Sequence, residues 1–431
     1  MKICIIGTGY VGLVAGAGLA DFGNDVVCYD KDTQKIEFLI NGGVPIYEIG
    51  LSDIMKRNIV KGRLTFSANL RSAVSESRVI FLAVGTPEGN NGEPDLSDMF
   101  EISDSLGKLI SEYKVIAIKS TVPVGTHLLV RQRILAKANA PFDVVSNPEF
   151  LREGSAVQDF LLPNRIILGV PSTAAAEIMR EVYRGLYLNE TPMVMTDNIT
   201  AELIKYSANC FLATKISFIN EIARVCDHFG ADVVTVAKAI GMDGRIGPKF
   251  LHPSPGYGGS CLVKDVAGLI SIASKAGLEL EIPKAVQKVN NGQRELVITK
   301  IKALLGEIRG KRLAVLGLSF KSSTDDIRNS PSLHVVERLL SEGGRVTGYD
   351  PASMDNFKKH FPDIEYTKNP YEACRNADIA IFMTEWNEFR ELDLMALRKI
   401  MRGDALLDPR NIYLPELARK AGFRYAGFGR N

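Results

Sequence analysis

Cys261 is set apart from the other cysteines of the chain by its neighbours. It closes the run PGYGGSC that begins at Pro255, and Lys264 and Asp265 follow it at the start of a stretch with helical character. A thiol that only filled a core would sit among apolar residues, because cysteine packs as a small hydrophobe. At a predicted helix N-terminus the macrodipole and the Lys264 charge favour thiolate, the nucleophilic form. Asp265 falls four residues after Cys261 and therefore on the same helical face. The preceding glycines leave space for a ligand to approach. In AELIKYSANCF, Lys205 and Asn209 repeat the i, i+4 spacing, so one helix face presents an ammonium and an amide together. A pair of that kind taken alone is more often a solvated face. In SNPEFLREG, Glu149 follows Pro148 at a strand end, where α/β sheets place their ligands.

A second constellation lies near residue 1. Gly7, Gly9 and Gly12 spell GxGxxG at the end of the apolar run KICIIG, and Asp30 ends DVVCYD, 21 residues beyond Gly9. The first glycine permits a tight turn, the second lets the backbone approach a pyrophosphate, and the third allows close strand–helix packing. The helix N-terminus then faces the phosphates. Strand, glycines, helix, strand and acid in this order predict a dinucleotide site. The Asp30 carboxylate suits a ribose 2′-hydroxyl and repels a 2′-phosphate, which favours NAD over NADP.

The elements that must hold these residues can be read from periodicity. At 431 residues, two or three domains are expected. KICIIG, DVVCYD, VIFLAVGTP, VIAIKSTVP, FDVVSNPEF and RIILGV are short, continuously apolar runs, as strands covered on both faces should be. Alternating with helical stretches, they predict a doubly wound parallel sheet. After TPMVMTDNIT the pattern becomes helical: Asn198 or Thr200 can cap a run from Ala201 to about Phe229, and Pro283 sits in the first turn of another that stops at Gly306. KRLAVLGLSFK, RVTGYDP, ADIAIFMTEW and DALLDPR then start a second α/β unit, with Asp350 mirroring Asp30. The expected fold is thus two Rossmann-like doubly wound domains joined by a central helical segment with a long helix. Its parts are 1–197 for the dinucleotide, 198–306 for the helices and the cysteine, and 307–431 for the second Rossmann-like domain.

Composition excludes several classes. With 52 basic against 50 acidic side chains there is no reason to propose nucleic acid or an anionic membrane as partner. Six thinly spread cysteines, with no CxxC pair, fit a reducing, cytoplasmic setting and suggest no metal site. The uncharged segment Ile3–Ala20 imitates a membrane span. Its glycines and its change of period favour a buried strand, a turn and a helix instead.

The motifs GTGYVGLVAG, AVGTP, STVPVGT, SNPEFLREG, AELIKYSANCFLATKISFINE, GPKFLHPSPGYGGSCLVKD and GLSFKSSTDDIRNSPS follow one another along nearly the whole chain. In wording and order they closely resemble the UDP-glucose/GDP-mannose dehydrogenase family. The resemblance implies a four-electron oxidation of a sugar-nucleotide primary alcohol, UDP-glucose by motif wording, to the carboxylate with two NAD and one water. It implies that Cys261 captures the aldehyde as a thiohemiacetal that becomes a thioester. Lys205 and Asn209 would stabilise the oxyanion, Asp265 would work with a water in acid/base steps, and Glu149 would be the base for thioester hydrolysis with Thr121 positioning water. For the cofactor the resemblance implies Gly7, Gly9, Tyr10, Val11, Gly12, Asp30, Lys35, Thr86, Thr121, Glu153, Lys264 and Arg328. For the substrate it implies Glu149, Phe150, Leu151, Arg152 and Glu153, then Lys205, Asn209 and Cys261, the loop from Phe250 to Tyr257 with Gly258, and Phe320 with Lys321. It also implies a homodimer in which Arg245 reaches the neighbouring subunit's sugar.

Two positions depart from the family pattern. Leu262–Val263 stands where a proline usually follows the cysteine, and EIGL at Glu48–Leu51 replaces EPGL, so a φ restraint is lost in each loop. GDP-mannose or an N-acetylated UDP-sugar is the alternative substrate. A two-electron hydroxyacid dehydrogenase would share the glycine loop and the Lys/Asn pair but has no need of the thiol. A non-catalytic sugar-nucleotide sensor could have lost Cys261, Lys205 or Asp265, and all three are present.

Overall fold

A strand that is apolar at every position needs cover on both faces, and the six runs of the first half meet that demand inside one sheet. The computed structural model describes residues 1–87, 89 and 93–430. Its first eight strands are β1 (Lys2–Ile6), β2 (Asp25–Tyr29), β3 (Leu64–Ser67), β4 (Val79–Leu82), β5 (Lys114–Ile118), β6 (Phe142–Ser146), β7 (Ile166–Gly169) and β8 (Met193–Thr196). They lie in the order β3-β2-β1-β4-β5-β6-β7-β8. In β1, Ile3 and Ile5 enter one core while Cys4 and Ile6 enter the other. Pairing is parallel except at β6–β7, which meet antiparallel at Ser146 and Gly169. That reversal is a departure from the all-parallel expectation.

The second sheet holds β9 (Arg312–Leu316), β10 (Arg345–Tyr349), β11 (Glu365–Tyr366), β12 (Ile379–Phe382), β13 (Ala405–Asp408) and β14 (Arg424–Gly427). It is parallel throughout, in the order β11-β10-β9-β12-β13-β14. Ile3–Ala20 is a strand, a turn and a helix (Tyr10–Asp21), and no helix among the described residues is long and apolar enough to cross a membrane. The chain divides into two compact units, Met1–Ala208 and Asn209–Asn431, though residue 431 itself lies outside the described residues. The central helix, Asn198–Phe229, contributes to both. It begins three residues earlier than expected. Asp197 accepts from the Thr200 backbone N–H at 2.8 Å and its hydroxyl at 2.7 Å, so the cap is Asp197 rather than Asn198 or Thr200. The helices Cys261–Lys275 and Glu281–Leu305 follow, the latter closed by Gly306 at φ +78°.

The glycine turn sits where strand order reverses between β1 and β4, the ligand crevice of such sheets. Gly7 adopts φ +101° and donates its N–H to the Tyr29 carbonyl at 2.8 Å. A Cβ on Gly12 would stand 1.8 Å from the Gly7 carbonyl oxygen, whereas one on Gly9 would meet nothing within 4 Å. Gly12 is therefore a packing requirement, and Gly9 keeps a surface open. Gly12→Ala should lower stability by about 2 kcal/mol or more through the forced backbone shift. Gly9→Ala should cost only a few tenths, as a helix-cap change, while weakening dinucleotide binding. Thermal unfolding together with cofactor titration of both variants checks the division; equal melting loss in the two would contradict it.

Candidate active site

In the first unit the central helix is pinned one turn at a time to the end of β6. The Asn198 amide accepts from the Ser146 N–H at 2.7 Å and donates to the Val144 carbonyl at 3.1 Å. Gly169 makes this approach possible, since a Cβ there would lie 2.6 Å from the Asn198 Cα. The next turn brings Glu202, whose buried carboxylate accepts from the Gly125 N–H at 2.7 Å, the His127 N–H at 3.0 Å and the Ser146 hydroxyl at 3.2 Å. The turn after that delivers Lys205 to Glu149. Their Nζ–Oε1 distance is 2.9 Å and both side chains are buried. The other Glu149 oxygen accepts from the Leu151 N–H at 2.5 Å. Burial opposes ionisation of Glu149, but the Lys205 charge and hydrogen bond, the Leu151 N–H and the Lys119 charge outweigh it and hold the carboxyl below its ordinary range.

Around this pair, the Thr86 hydroxyl donates to the Thr121 carbonyl at 3.0 Å and so ties the segments following β4 and β5. Phe150 is half-buried, with the Arg165 guanidinium 3.6 Å from its ring centroid. Leu151 and Glu153 are half-buried beside it. Arg152 turns away, held bidentately by Asp159 at 3.0 and 2.6 Å on the exposed side. The Glu48 carboxylate, within EIGL, accepts from the Gly154 N–H at 2.7 Å, the Ala156 N–H at 2.8 Å and the Tyr10 hydroxyl. It thereby fastens the loop after Glu153 to the helix that opens the glycine turn. Ile49, in place of the expected proline, is exposed.

The glycine turn fits a dinucleotide. Its helix N-terminus, behind Gly9, has no side-chain cap. Asp30 accepts from the Thr8 N–H at 2.8 Å and hydroxyl at 2.6 Å, and Lys35 Nζ lies 3.4 Å from it. Burial raises the Asp30 carboxyl, yet the two Thr8 bonds, the Asp32 N–H and the Lys35 charge bring it below its ordinary value, so it is an anion at the end of β2. Tyr10 and Val11 are half-buried in the first turn of the helix.

In the second unit Cys261 is the first residue of its helix and is exposed; the other five cysteines are buried. Ser260 precedes it and makes no side-chain cap, and its hydroxyl lies 3.7 Å from the thiol sulfur. Asp265, one turn on, is buried and accepts from the Asn209 amide at 2.6 Å, while Lys264 Nζ stands 3.1 Å from its other oxygen. Lys264 is thus balanced by its neighbour rather than held for the thiol alone. Leu262 and Val263 are half-buried in the same turn. The glycines before Cys261 correct the expectation of open space. A Cβ on Gly258 would lie 2.5 Å from the Asn329 carbonyl oxygen, and one on Gly259, at φ +77°, would lie 2.9 Å from the Phe320 ring. Their room is taken by Phe320 and Asn329, so they let the cysteine loop pack against the GLSFK and RNSPS segments.

Tyr257 is buried, and its N–H and carbonyl are both bonded to the Asn290 amide, at 2.8 and 3.0 Å. Phe250 takes φ +65° at the head of the loop. Phe320 and Lys321 are half-buried, with Lys321 Nζ 5.5 Å from the Phe320 ring centroid. Arg245 and Arg328 are exposed and turn to Asp243 and Asp326, each with a contact of 2.6 to 2.7 Å. Sequence reasoning missed Lys119, Asn147, Arg165 and Glu202. The one available signal was a lysine or asparagine at the end of an otherwise apolar strand.

Residues 1–187 match the UDP-glucose/GDP-mannose dehydrogenase family's NAD binding domain, residues 199–292 its central domain and residues 314–415 its UDP binding domain. The UDP-glucose 6-dehydrogenase of Rhizobium meliloti is 48% identical over 100% of both chains. UDP-glucose 6-dehydrogenase TuaD of Bacillus subtilis is 42% identical over 100% of this chain and 93% of its own. The solved UDP-glucose dehydrogenase of the archaeon Pyrobaculum islandicum has a TM-score of 0.93 at 36% identity, covering 100% of this chain and 98% of that one. The UDP-D-ManNAc dehydrogenase of Pyrococcus horikoshii has a TM-score of 0.87 at 26% identity, covering 100% and 99%. With all three domains matched in order on one chain, it belongs to the UDP-glucose/GDP-mannose dehydrogenase family.

Proposed function

We propose that the chain is an NAD-dependent UDP-glucose 6-dehydrogenase that converts UDP-glucose, two NAD and water to UDP-glucuronate. The observation that carries the chemistry is an exposed thiol at the first position of an uncapped helix, one turn before a buried carboxylate fixed by Asn209. A two-electron dehydrogenase would have no use for it. UDP-glucose is preferred over an N-acetylated UDP-sugar because the full-length relatives named for UDP-glucose are 48% and 42% identical, against 26% for the ManNAc enzyme.

The glycine turn with Asp30, Lys35, Thr86 and Thr121 would hold NAD, which when bound would supply the hydride acceptor for each of the two oxidations at the sugar C6. The Cys261 thiolate adds to the C6 aldehyde, forming a C–S bond while the carbonyl oxygen becomes the hydroxyl of a thiohemiacetal. Lys205 and Asn209, one turn apart on the central helix, supply an ammonium and an amide for the oxygen that gains charge in each step. Asp265 takes and returns the protons with a water. Loss of the second hydride leaves a thioester. Glu149, held as an anion, accepts a proton from the attacking water, Thr121 orients that water, and the C–S bond breaks to return the thiolate. Phe150 to Glu153, the loop from Phe250 to Gly258, Phe320 and Lys321 would hold the nucleotide sugar, with Glu153, Lys264 and Arg328 contributing to the cofactor. The working division is 1–197, 198–306 and 307–431, in a reducing cytoplasm where Cys261 stays a thiol.

The same central helix offers a surface for a second copy of the chain. Ile199, Leu203, Phe211, Phe218, Val225 and Phe229 are exposed and recur at steps of 4, 8, 7, 7 and 4 residues, one apolar stripe, while Lys205 and Asn209 point elsewhere. In the homodimer Arg245, 90% exposed at its side chain, would complete the partner subunit's sugar site.

Three outcomes follow from this assignment. NADP should show kcat/KM at least ~100-fold below NAD, because Asp30 is already anionic and hydrogen-bonded; comparable values would remove Asp30 as selector. Wild type should release two NADH per UDP-glucose with little free aldehyde. Cys261→Ala should cut acid formation by ~10⁴-fold or more, and Cys261→Ser should accumulate a slowly hydrolysed adduct by intact mass. One NADH per sugar, or near-normal acid from Cys261→Ala, would sink the covalent route. In sedimentation, Phe218→Glu should shift the dimer toward monomer, and Arg245→Ala should raise the sugar KM ~10-fold with kcat little changed; an active wild-type monomer would overturn the shared site.

A further inference from the structure

Lys119 is a buried cation for which the mechanism above has no use. It follows β5, is 4% exposed, and stands with its Nζ 3.3 Å from Asn147 Oδ1 and 3.4 Å from the Tyr183 hydroxyl. The Tyr183 hydroxyl itself donates to Asn147 Oδ1 at 2.6 Å, which closes a triangle of lysine, tyrosine and asparagine. The rings of Phe160 and Tyr183 flank the ammonium at 5.9 and 6.0 Å. Among the described residues no carboxylate pairs with it directly. A buried ammonium with no direct ion pair is costly, and an apolar side chain of similar volume would fill this place more cheaply if space-filling were the task.

What the triangle holds is the corner that carries Glu149. Asn147 N–H donates to the Ile118 carbonyl at 2.8 Å and its amide donates to the Ile167 carbonyl at 2.9 Å, so the residue is tied to the neighbouring strands on both sides. Pro148 then stiffens the step to Glu149. The charged groups facing Glu149 are Lys205 from the central helix and Lys119 from the end of β5. Those facing Lys119 are Glu149, Lys205 and the Tyr183 phenol. Glu202 is spent on His127, the Ser146 hydroxyl and the Gly125 N–H. We propose that Lys119 is a positioning residue for thioester hydrolysis: through Asn147 and Tyr183 it fixes the Asn147–Pro148–Glu149 corner, and it adds a second positive charge beside the carboxylate, a role that presupposes Glu149 as the base.

Burial, with Lys205 adding to it and Glu149 opposing it, lowers Lys119 to about 8, so the ammonium is present throughout the acidic range in which Glu149 titrates. Removing it leaves Glu149 with one cation instead of two and raises the carboxyl. The test is the pH dependence of UDP-glucuronate formation after the second hydride transfer, by rapid quench, in wild type, Lys119→Met, Lys119→Arg and Glu149→Gln. Lys119→Met should melt within a few degrees of wild type, yet move the acidic limb upward by ~0.5–1 pH unit. Lys119→Arg should move it back, and Glu149→Gln should abolish the limb. An unmoved limb in Lys119→Met while Glu149→Gln abolishes it overturns the Lys119 role alone; a limb that survives Glu149→Gln overturns the base assignment and this role together. Should Lys119→Met not fold, the reciprocal effect decides: the ¹³Cε signal of Lys119 should titrate at lower pH in Glu149→Gln than in wild type, and an unchanged titration overturns the coupling.

Discussion

Glu149 and Lys205 have side chains only 6% and 5% exposed and lie 2.9 Å apart, so each is the other's direct ionic partner in the interior. Such a pair is weak support for stability, since two well-packed apolar side chains would often serve as well, while removing one partner strands a buried charge. Its presence makes demands on everything nearby. The central helix has to arrive at the end of β6 in one fixed position, and the successive anchors at Asn198 and Glu202 hold it over the two turns before Lys205. Gly169, with no room for a Cβ beside Asn198, allows that approach, and it is also the residue that pairs antiparallel with Ser146. The least regular part of the first sheet is the part that positions Glu149.

The interior of both sheets was legible in the sequence, and the edges were not. Each run chosen for continuous apolarity is an inner strand, covered on both faces. The four strands that escaped notice, β3, β8, β11 and β14, are the outermost strands of the two sheets. They are only two to four residues long and mostly half-buried or exposed, with only β14 alternating, so little periodic signal distinguishes them from loops. At the candidate site, residue type and spacing located the local structure. The i, i+4 pairs at 205/209 and 261/265 need only a helix, and a helix is present at each. Partners from distant segments were out of reach: nothing in the letters pairs Lys205 with Glu149 or Asn209 with Asp265.

The glycines of PGYGGSC show how a correct motif can be given the wrong physical reason. Their lack of side chains matters because protein, rather than ligand, occupies the space, with Phe320 and Asn329 lying where Cβ atoms would be. Gly259 also donates its N–H to the Arg328 carbonyl at 2.8 Å, and its own carbonyl accepts from Asn329 at 3.3 Å. The cysteine loop is thus built against the turn after β9, and Cys261 inherits its place from that packing.

The same turn settles why only one of two similar units has the features of a dinucleotide site. Gly317, at φ +96°, donates to the Tyr349 carbonyl at 2.8 Å, as Gly7 does to Tyr29, and Asp350 ends β10 as Asp30 ends β2. The likeness stops at the carboxylate. Asp350 is fully buried and accepts from the Leu318 and Ser319 N–H groups, the Ser319 hydroxyl, the Trp386 indole and the Ala352 and Ser353 N–H groups. Two carboxylate oxygens have about four acceptor sites, so none is left for a ribose. Where the first unit has the open backbone of Gly9, the second has Ser319, itself buried. Asp30 keeps part of its surface in solvent and accepts from Thr8 and the Asp32 N–H, beside the partly exposed Lys35. An acid at the end of the second strand is therefore half of a recognition element; what decides its use is whether the turn opposite consumes it.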